Sequence, residues 1–304
     1  MIRDTRSGVL PVDKGPGVTS FQVVAQLRRV LRAPKIGHGG TLDPAATGLL
    51  PILIGEATKL TPYLVDLDKE YQATVRLGVT TDTQDLSGAV LESRPVPELD
   101  SADVERALER FVGVIRQVPP MYSALHHEGR RLYELAREGV EVERPPREVT
   151  VYSIHLETLS LPDVTIRVRC GKGFYVRTLA ADLGEALGAG GTLAQLVRTR
   201  VGPYRLEDAA PWSAVLDARG GEVLWSRVLP PDSVLEAMQQ ARLSEQGTRA
   251  FVNGQSVTEP GAPGPVRVYG ADGALLGIGI RRGALVKPER LLHADSPRPR
   301  VLPA

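Results

Sequence analysis

Two segments of this 304-residue chain, residues 71–79 and 164–170, alternate apolar and polar residues with a period of two. Such alternation is typical of strands that bury one face. A third segment, residues 151–158, is also predicted to be a strand. Helical patterns interrupt these strands irregularly, and hairpin-like neighbours outnumber βαβ units. The sequence therefore predicts an α+β fold with a mixed, mostly antiparallel sheet and flanking helices.

Helical periodicity is clearest after Thr19 and Ser20, either of which could cap a helix that ends before Pro34. The predicted apolar face of this helix consists of Phe21, Val24, Leu27 and Leu31. Further helices are predicted over residues 102–112, 131–138 and 175–187.

The chain is too long for one typical core, and its character changes near residue 241. Beyond that point, short apolar segments such as 251–254, 266–269 and 274–280 are separated by glycine and proline, which predicts strands. We expect a large domain over 1–240, with a surface insertion at about 115–147, and a small β-rich domain over 241–304. The residues from Ser296 onward are predicted to be disordered.

Net charge gives no simple argument for nucleic-acid binding, because the formal value is only +1. Local clusters are more informative. One consists of Arg28, Arg29, Arg32 and Lys35, and the other of Arg167, Arg169, Lys172 and Arg177. Each cluster could be an ordinary solvated surface. Two clusters that flank the same candidate site, residues 37–52, favour a surface that binds the phosphates of a nucleic acid.

The single cysteine, Cys170, cannot form an intrachain disulfide and lies in a predicted strand, which indicates a buried thiol. No apolar run approaches the length of a membrane span. The expected location is the cytoplasm, without membrane association.

Residues 37–52 contain one carboxylate, Asp43, among glycines, small residues and aliphatics. Asp43 could be the N-cap of a helix that begins at Pro44. However, Gly48 and Pro51 would end that helix almost at once. The other interpretation is functional: the glycines let the backbone approach a ligand, and the aliphatic run forms a rigid buried floor.

Other chemistries find little support in the sequence. His126 and His127 are adjacent and the remaining histidines are isolated, so no metal-ligand spacing is present. No phosphate-binding glycine fingerprint follows a strand, and no Ser-His-Asp arrangement stands out. The candidate chemistry is therefore that of a carboxylate, a tyrosine and an arginine, with no metal and no nucleotide cofactor.

Several motifs occur in one order along the first two hundred residues. They are V-D-K-G-P-G at 12–17, G-H-G-G-T-L-D-P-A-A-T-G-L-L-P-I at 37–52, K-E-Y at 69–71, P-P-M-Y-S-A-L at 119–125 and C-G-K-G-F-Y-V-R-T-L at 170–179. Together they resemble the TruB family of bacterial tRNA pseudouridine-55 synthases. The resemblance implies the pseudouridine-synthase fold and a C-terminal PUA-like RNA-binding domain.

The implied activity is isomerisation of uridine 55 in the tRNA T-loop to pseudouridine, after the base has been flipped out of the RNA. The implied partner is tRNA, through its T-loop and stem, and a monomer is expected. By resemblance, Asp43 is the catalytic carboxylate, Arg177 its cationic partner and Tyr71 the active-site tyrosine that stacks on the uracil.

The same resemblance predicts residues that bind RNA. His38 matches a histidine that contacts the loop during flipping, and Leu196 matches an apolar pocket position. Lys14 is expected to support the catalytic loop or to contact a phosphate. Three further RNA contacts are predicted in the matched motifs or the insertion, namely Arg130, Lys172 and Tyr175.

Two positions depart from the family pattern. His126 stands where a lysine is usual, and Gly171 where a serine is usual. Neither removes a predicted catalytic group. The alternatives are an RNA-binding factor that assists tRNA folding without catalysis, the same chemistry on another uridine, and hydrolysis of a nucleoside bond.

Overall fold

The computed structural model describes residues 6–123, 125–218 and 221–292. The α-helices within these ranges are α1 (Ser20–Leu31), α2 (Thr61–Asp66), α3 (Ser101–Glu109), α4 (Leu132–Arg137), α5 (Val176–Ala186), α6 (Trp212–Asp217), α7 (Glu222–Trp225) and α8 (Glu245–Val252). Short 3-10 helices span Gly55–Leu60, Leu206–Asp208 and Pro231–Leu235.

The strands of the first two hundred residues are β1 (Gly8–Lys14), β2 (Ile36–His38), β3 (Thr47–Ile54), β4 (Lys69–Leu77), β5 (Val79–Thr81), β6 (Val90–Ser93), β7 (Gly113–Gln117), β8 (His126–His127), β9 (Arg130–Arg131), β10 (Arg147–Ser160), β11 (Asp163–Cys170) and β12 (Gly191–Val201). Those that follow are β13 (Tyr204–Arg205), β14 (Ala210–Pro211), β15 (Gln239–Arg242), β16 (Val257–Thr258), β17 (Gly264–Tyr269), β18 (Leu275–Arg282) and β19 (Leu285–Leu291).

The chain forms two compact units. The first contains the described residues up to Pro44, then Gly48–Val65, and those from Gly202 onward. The second contains Ala45–Thr47 and Asp66–Val201.

In the first unit, β1 pairs antiparallel with β3 and parallel with β14, and β2 pairs antiparallel with β3. The predicted burial of the aliphatic run is confirmed, because every residue of β3 after Thr47 is buried. Helix α1 begins as predicted, with Thr19 as its N-cap in a capping box. Phe21, however, is 72% exposed, and Val23 takes its predicted place in the core.

The first unit also contains a five-stranded sheet in the order β15-β17-β18-β19-β16. The predicted strand at 251–254 is wrong. Ser244 caps helix α8, and Phe251, with no exposed surface, is the apolar residue that this helix buries. The predicted strands at 266–269 and 274–280 are confirmed as β17 and β18. The prediction of disorder from Ser296 lies outside the described residues.

Five strands of the ten-stranded sheet belong to the second unit, and they pair antiparallel in the order β12-β4-β11-β10-β7. The three predicted strands are confirmed as β4, β10 and β11, with Ala73, Val75 and Leu77 buried, although β4 ends at Leu77 rather than at Val79. Helices α3 and α5 contribute to the same core. The α+β class with a mixed, mostly antiparallel sheet is therefore confirmed.

Strand β12, which pairs antiparallel with β4, was not predicted. Its pairing with β4 shifts register between Leu193 and Gln195 and again between Arg198 and Arg200. Each irregularity changes which residues face the core, so the sequence shows no regular alternation. The segment 115–147, predicted to be a surface insertion, contains the hairpin of β8 and β9 and the short helix α4.

Candidate active site

Asp43 lies in the loop that joins β2 to β3, and its residue surface is half-buried. No helix follows it, so the alternative of a helix N-cap is wrong. The chain instead enters the buried strand β3 at Thr47. The backbone on either side of Asp43 is tied to the segment 14–20, which contains the end of β1 and the start of α1.

Ser20 holds the residue before Asp43. Its hydroxyl oxygen accepts a hydrogen bond from the Leu42 amide at 3.0 Å and donates one to the Leu42 carbonyl at 3.2 Å. Both Ser20 and Leu42 are buried. Because Thr19 forms the helix cap, the hydroxyl of Ser20 is available for this second task.

Lys14 and Gly17 hold the residue after Asp43. The Gly17 amide donates to the Pro44 carbonyl at 2.8 Å, and Lys14 Nζ donates to the same oxygen at 3.2 Å. Lys14 Nζ also donates to the carbonyl oxygens of Gly15 at 3.0 Å and Val18 at 2.7 Å. The lysine side chain has no exposed surface, which supports its predicted role as a support for the loop.

The glycines before Asp43 differ in whether a larger residue could replace them. A Cβ at Gly39 would lie 2.2 Å from Leu64 Cδ2, so only glycine lets the loop pack on α2. A Cβ at Gly37 would meet no atom within 4 Å. His38, between them, is half-buried and pairs with Ile52 in the β2–β3 ladder.

In the second unit, Tyr71 lies in β4 with its residue surface half-buried. Arg198 of β12 is directly opposite Tyr71, and Leu196 is opposite Ala73. Paired residues on neighbouring strands project from the same face, so Tyr71, Leu196 and Arg198 share one face of the sheet. Tyr71 and Leu196 also pack on the same buried core.

Arg177, in the first turn of α5, is only 6% exposed. Its Nη1 donates to the Thr83 carbonyl at 3.2 Å and its Nη2 to the Tyr122 carbonyl at 2.7 Å. The guanidinium thereby joins the loop after β5 to the start of the insertion. The guanidinium makes this double contact from two nitrogens held in one plane, a fixed geometry that a lysine ammonium does not share.

Two buried titratable groups lie in this part of the sheet: Lys69, two residues before Tyr71 in β4, and Cys170, which pairs with Lys69 from β11. Burial, together with the positive charge of Arg198, lowers the pKa of Lys69 to about 8. Burial raises the pKa of the Cys170 thiol to about 12. The prediction of a buried thiol is confirmed, since Cys170 is only 1% exposed.

The three remaining predicted RNA contacts differ in exposure. Tyr175 is half-buried at the start of α5, where its amide and carbonyl bond the Gln117 side chain at 3.0 and 3.2 Å. Lys172 is exposed and pairs with Asp66 at 3.0 Å. Arg130 is exposed in β9 and pairs with Glu138.

Within the described ranges, no three His, Cys, Asp or Glu side chains form a group that could hold a metal ion. Among those same residues, no helix has the length and apolar character needed to cross a membrane.

Sequence reasoning missed two residues of this arrangement. The role of Ser20 could have been suspected, because two adjacent hydroxyl residues preceded a helix that needs only one cap. The burial of Arg198, which is 1% exposed, carried no signal in the sequence, since the register shifts hide which face it occupies.

Comparison with known proteins extends over almost the whole chain. The "tRNA pseudouridine synthase B" of Chromohalobacter salexigens is 46% identical over 296 residues, covering 95% of this chain and 95% of that protein. Its namesake in Burkholderia mallei is 47% identical, covering 96% of this chain and 99% of that protein.

Solved structures share the fold. A crystal structure of a Cbf5-Nop10-Gar1 complex contains a chain with a TM-score of 0.72 and 25% identity, covering 93% of this chain and 84% of that one. A structure of an archaeal box H/ACA sRNP Nop10-Cbf5 complex has a TM-score of 0.70 at 24% identity, covering 94% of this chain and 86% of that one, which shows the fold alone.

Family descriptions match three consecutive parts of the chain. "TruB family pseudouridylate synthase (N terminal domain)" matches residues 28–176, and "tRNA pseudouridylate synthase B C-terminal domain" matches 177–236. "Pseudouridine synthase II TruB, C-terminal" matches 240–292. With relatives at nearly half identity over 95% of its length, this chain belongs to the TruB family of pseudouridylate synthases.

Proposed function

We propose that this chain isomerises uridine 55 in the T-loop of tRNA to pseudouridine. The observation that carries the proposal is the doubly held loop at Asp43: Ser20 fixes the residue before it, and Lys14 with Gly17 fixes the residue after it. Catalytic groups must be held within a fraction of an ångström of their working position, and such supports provide this.

The reaction breaks the N1–C1′ bond of the nucleotide and forms a C5–C1′ bond after the base has turned. C5 loses its proton and N1 ends with one, so the product is an isomer and no oxidant or energy source is required. A carboxylate can attack the sugar or the base, or it can stabilise positive charge at C1′. Asp43 is the proposed group.

Tyr71 and Arg177 are the proposed partners of Asp43 in the reaction. The Tyr71 ring would stack on the extruded uracil, beside the apolar side chain of Leu196 with which it shares a sheet face. Arg177 would keep the carboxylate ionised in a pocket that excludes water. Its burial and its fixed orientation between two carbonyl oxygens support this role.

The remaining predicted residues would bind RNA or support the site. His38 would contact the loop while the base flips, and Lys14 would support the Asp43 loop from inside. Lys172 and Arg130 are exposed and held only by surface ion pairs, which contribute little and can exchange for phosphate. Tyr175 would contribute an aromatic contact near them.

At the level of domains, we propose catalysis by residues 1–240, with the insertion at about 115–147 gripping the T-stem and loop. Residues 241–304 would form a PUA-like RNA-binding module. Its support is a separate apolar core and two arginines, Arg242 and Arg267, whose guanidinium carbons lie 5.6 and 6.0 Å from the Tyr269 ring centre. We further propose that the protein is a monomer and that it acts in the cytoplasm.

The test is incubation of the protein with an unmodified tRNA transcript, followed by chemical mapping of pseudouridine. We expect product at position 55 only. Product at another uridine would overturn the substrate, and release of free uracil would favour hydrolysis. Binding of tRNA without any product would favour the folding-factor alternative.

The Asp43→Asn variant tests the assignment of the carboxylate. We expect loss of isomerisation with RNA affinity largely retained, because the amide is nearly the same shape but has no charge. Asp208→Asn is the matched control, since Asp208 is an exposed carboxylate of the same unit. Undiminished product formation by Asp43→Asn would refute the assignment.

A further inference from the structure

A groove of about 650 Å³ lies between α1 and α6, outside the residues assigned to the reaction. Its lining combines apolar side chains, chiefly Trp212 and Leu216, with the two arginines Arg28 and Arg29. No aspartate or glutamate contributes to this lining. The groove therefore presents an apolar surface beside concentrated positive charge.

The two arginines have no acidic partner in the part of the chain that the structure describes. Arg28 Nη2 donates to the Ile36 carbonyl at 3.5 Å, and Arg29 donates to the Gln26 side chain. Both side chains are exposed, and α1 itself contains no acidic residue. Their charges are uncompensated, which favours binding of an anion such as phosphate.

Trp212 and Leu216 of α6 form the apolar side of the groove. Trp212 is half-buried against the turn after β1, where a Cβ at Gly15 would lie 3.3 Å from the Trp212 ring carbon Cδ1. Leu216, one turn further along α6, is 54% exposed. An aromatic ring beside arginines is the combination that proteins use to stack an unpaired base and hold its phosphate.

The groove adjoins the Asp43 loop. Gly17 lines the groove, and its amide donates to the Pro44 carbonyl at 2.8 Å. A ligand in the groove would therefore contact the turn that fixes the residue after Asp43. This continuity favours a nucleotide of the same RNA strand over an unrelated anion.

We propose that this groove binds an unpaired nucleotide of the RNA substrate near the target uridine. Its base lies on Trp212 and Leu216, and its phosphate lies on Arg28 and Arg29. The inference rests on the proposed function for the identity of the RNA. It adds a contact on α1 and α6 that the reaction itself does not require.

Tryptophan fluorescence tests the stacking directly, because the chain contains only two tryptophans. The other, Trp225, is 6% exposed with the Arg6 guanidinium carbon 4.3 Å from its ring centre. In the Trp225→Phe variant, titration with an unmodified tRNA transcript should quench the emission of Trp212. The matched Trp212→Phe variant, which reports on Trp225, should show little change. Unchanged Trp212 emission at saturating RNA would overturn the proposal.

Salt dependence of binding tests the phosphate contact. Arg28→Gln and Arg29→Gln should each weaken tRNA binding several-fold, and the slope of log K against log salt should fall by roughly 0.7–0.9 per lost contact. Arg106→Gln is the control, because that arginine is 67% exposed on α3 and is not part of the groove lining. It should leave affinity and slope unchanged.

The outcomes separate this inference from the function on which it rests. An active wild type whose groove variants bind tRNA with unchanged affinity and slope would overturn the groove proposal and leave the enzyme intact. A wild type that forms no pseudouridine, yet shows quenching and the reduced slopes, would retain the groove as an RNA site and overturn the proposed function.

Discussion

The hydroxyl oxygen of Ser20 bonds both backbone polar groups of Leu42, at 3.0 Å to the amide nitrogen and 3.2 Å to the carbonyl oxygen. The preceding residue, Thr19, uses its own hydroxyl to cap α1. Two adjacent hydroxyl residues therefore have separate tasks: one begins the helix, and the other ties that helix to the residue before Asp43.

We predict that Ser20→Ala slows isomerisation by about ten- to a hundredfold, because small displacements of a catalytic group are costly. The substitution also leaves two buried backbone groups without their partner, at a cost of about 1–3 kcal/mol of stability. Single-turnover rates at saturating tRNA measure the first effect, and urea unfolding measures the second.

Thr19→Ala is the matched control for Ser20→Ala. Loss of the N-cap should cost about 1 kcal/mol in the free energy of unfolding. The single-turnover rate should stay near that of the wild type, because the Thr19 hydroxyl bonds Gln22 of α1 and not the backbone of the Asp43 loop. If both variants lost the same activity, helix stability would explain the effect and the positioning role of Ser20 would fail.

Lys14→Met is predicted to destabilise the protein by about 3 kcal/mol or more. The buried ammonium donates to three carbonyl oxygens, and methionine would leave all three without that donor. Lys35→Met is the control, since Lys35 is exposed and its pair with Glu56 at 3.4 Å is a surface contact. It should cost less than about 1 kcal/mol. If Lys14→Met and Lys35→Met had the same urea unfolding midpoint, the prediction would be contradicted.

The regular parts of the fold were predictable because one face of each element is buried. Strands β4 and β11 follow a period of two, and α1 begins where its capping residues indicate. Strand β12 escaped prediction because two register shifts interrupt its alternation. Phe251 was misassigned because a short helix and a short strand each bury a single aromatic residue equally well.

At the site, the sequence and the family resemblance identified candidate residues, but they did not predict which atoms those residues contact. The chemical isolation of Asp43 was visible in the sequence. The support from Ser20 and Lys14 was not, because it depends on side chains that reach backbone atoms 22 and 30 positions away. The buried position of Arg198 opposite Tyr71 depends on strand register, which long-range pairing decides.

Arg177→Lys should lower kcat far more than it raises KM. Lysine keeps the charge, but it cannot donate simultaneously to the Thr83 and Tyr122 carbonyls with the geometry of a guanidinium. The start of the insertion would lose one anchor, so limited proteolysis should cut the variant faster within residues 119–147. A variant with wild-type kcat and an unchanged digestion pattern would contradict this role.

The buried amine of Lys69 predicts how stability changes with pH. Burial and the neighbouring Arg198 lower its pKa from 10.5 to about 8, so the unfolded chain binds more protons at this group between those values. Stability must then rise with pH across that window, by about 1 kcal/mol from pH 7 to pH 9. Urea unfolding at both pH values measures the change.

Lys69→Met isolates that contribution from other titrating groups. The variant removes the amine and its hydrogen bond to the Leu67 carbonyl at 2.5 Å, and it keeps a side chain of similar length. Its stability should lack the wild-type rise between pH 7 and pH 9. The Cys170 thiol opposes this rise from about pH 8 upward, because its unfolded pKa is 9.0 and burial raises the folded value to about 12. An identical pH profile in variant and wild type would mean that Lys69 is solvated when the chain is folded.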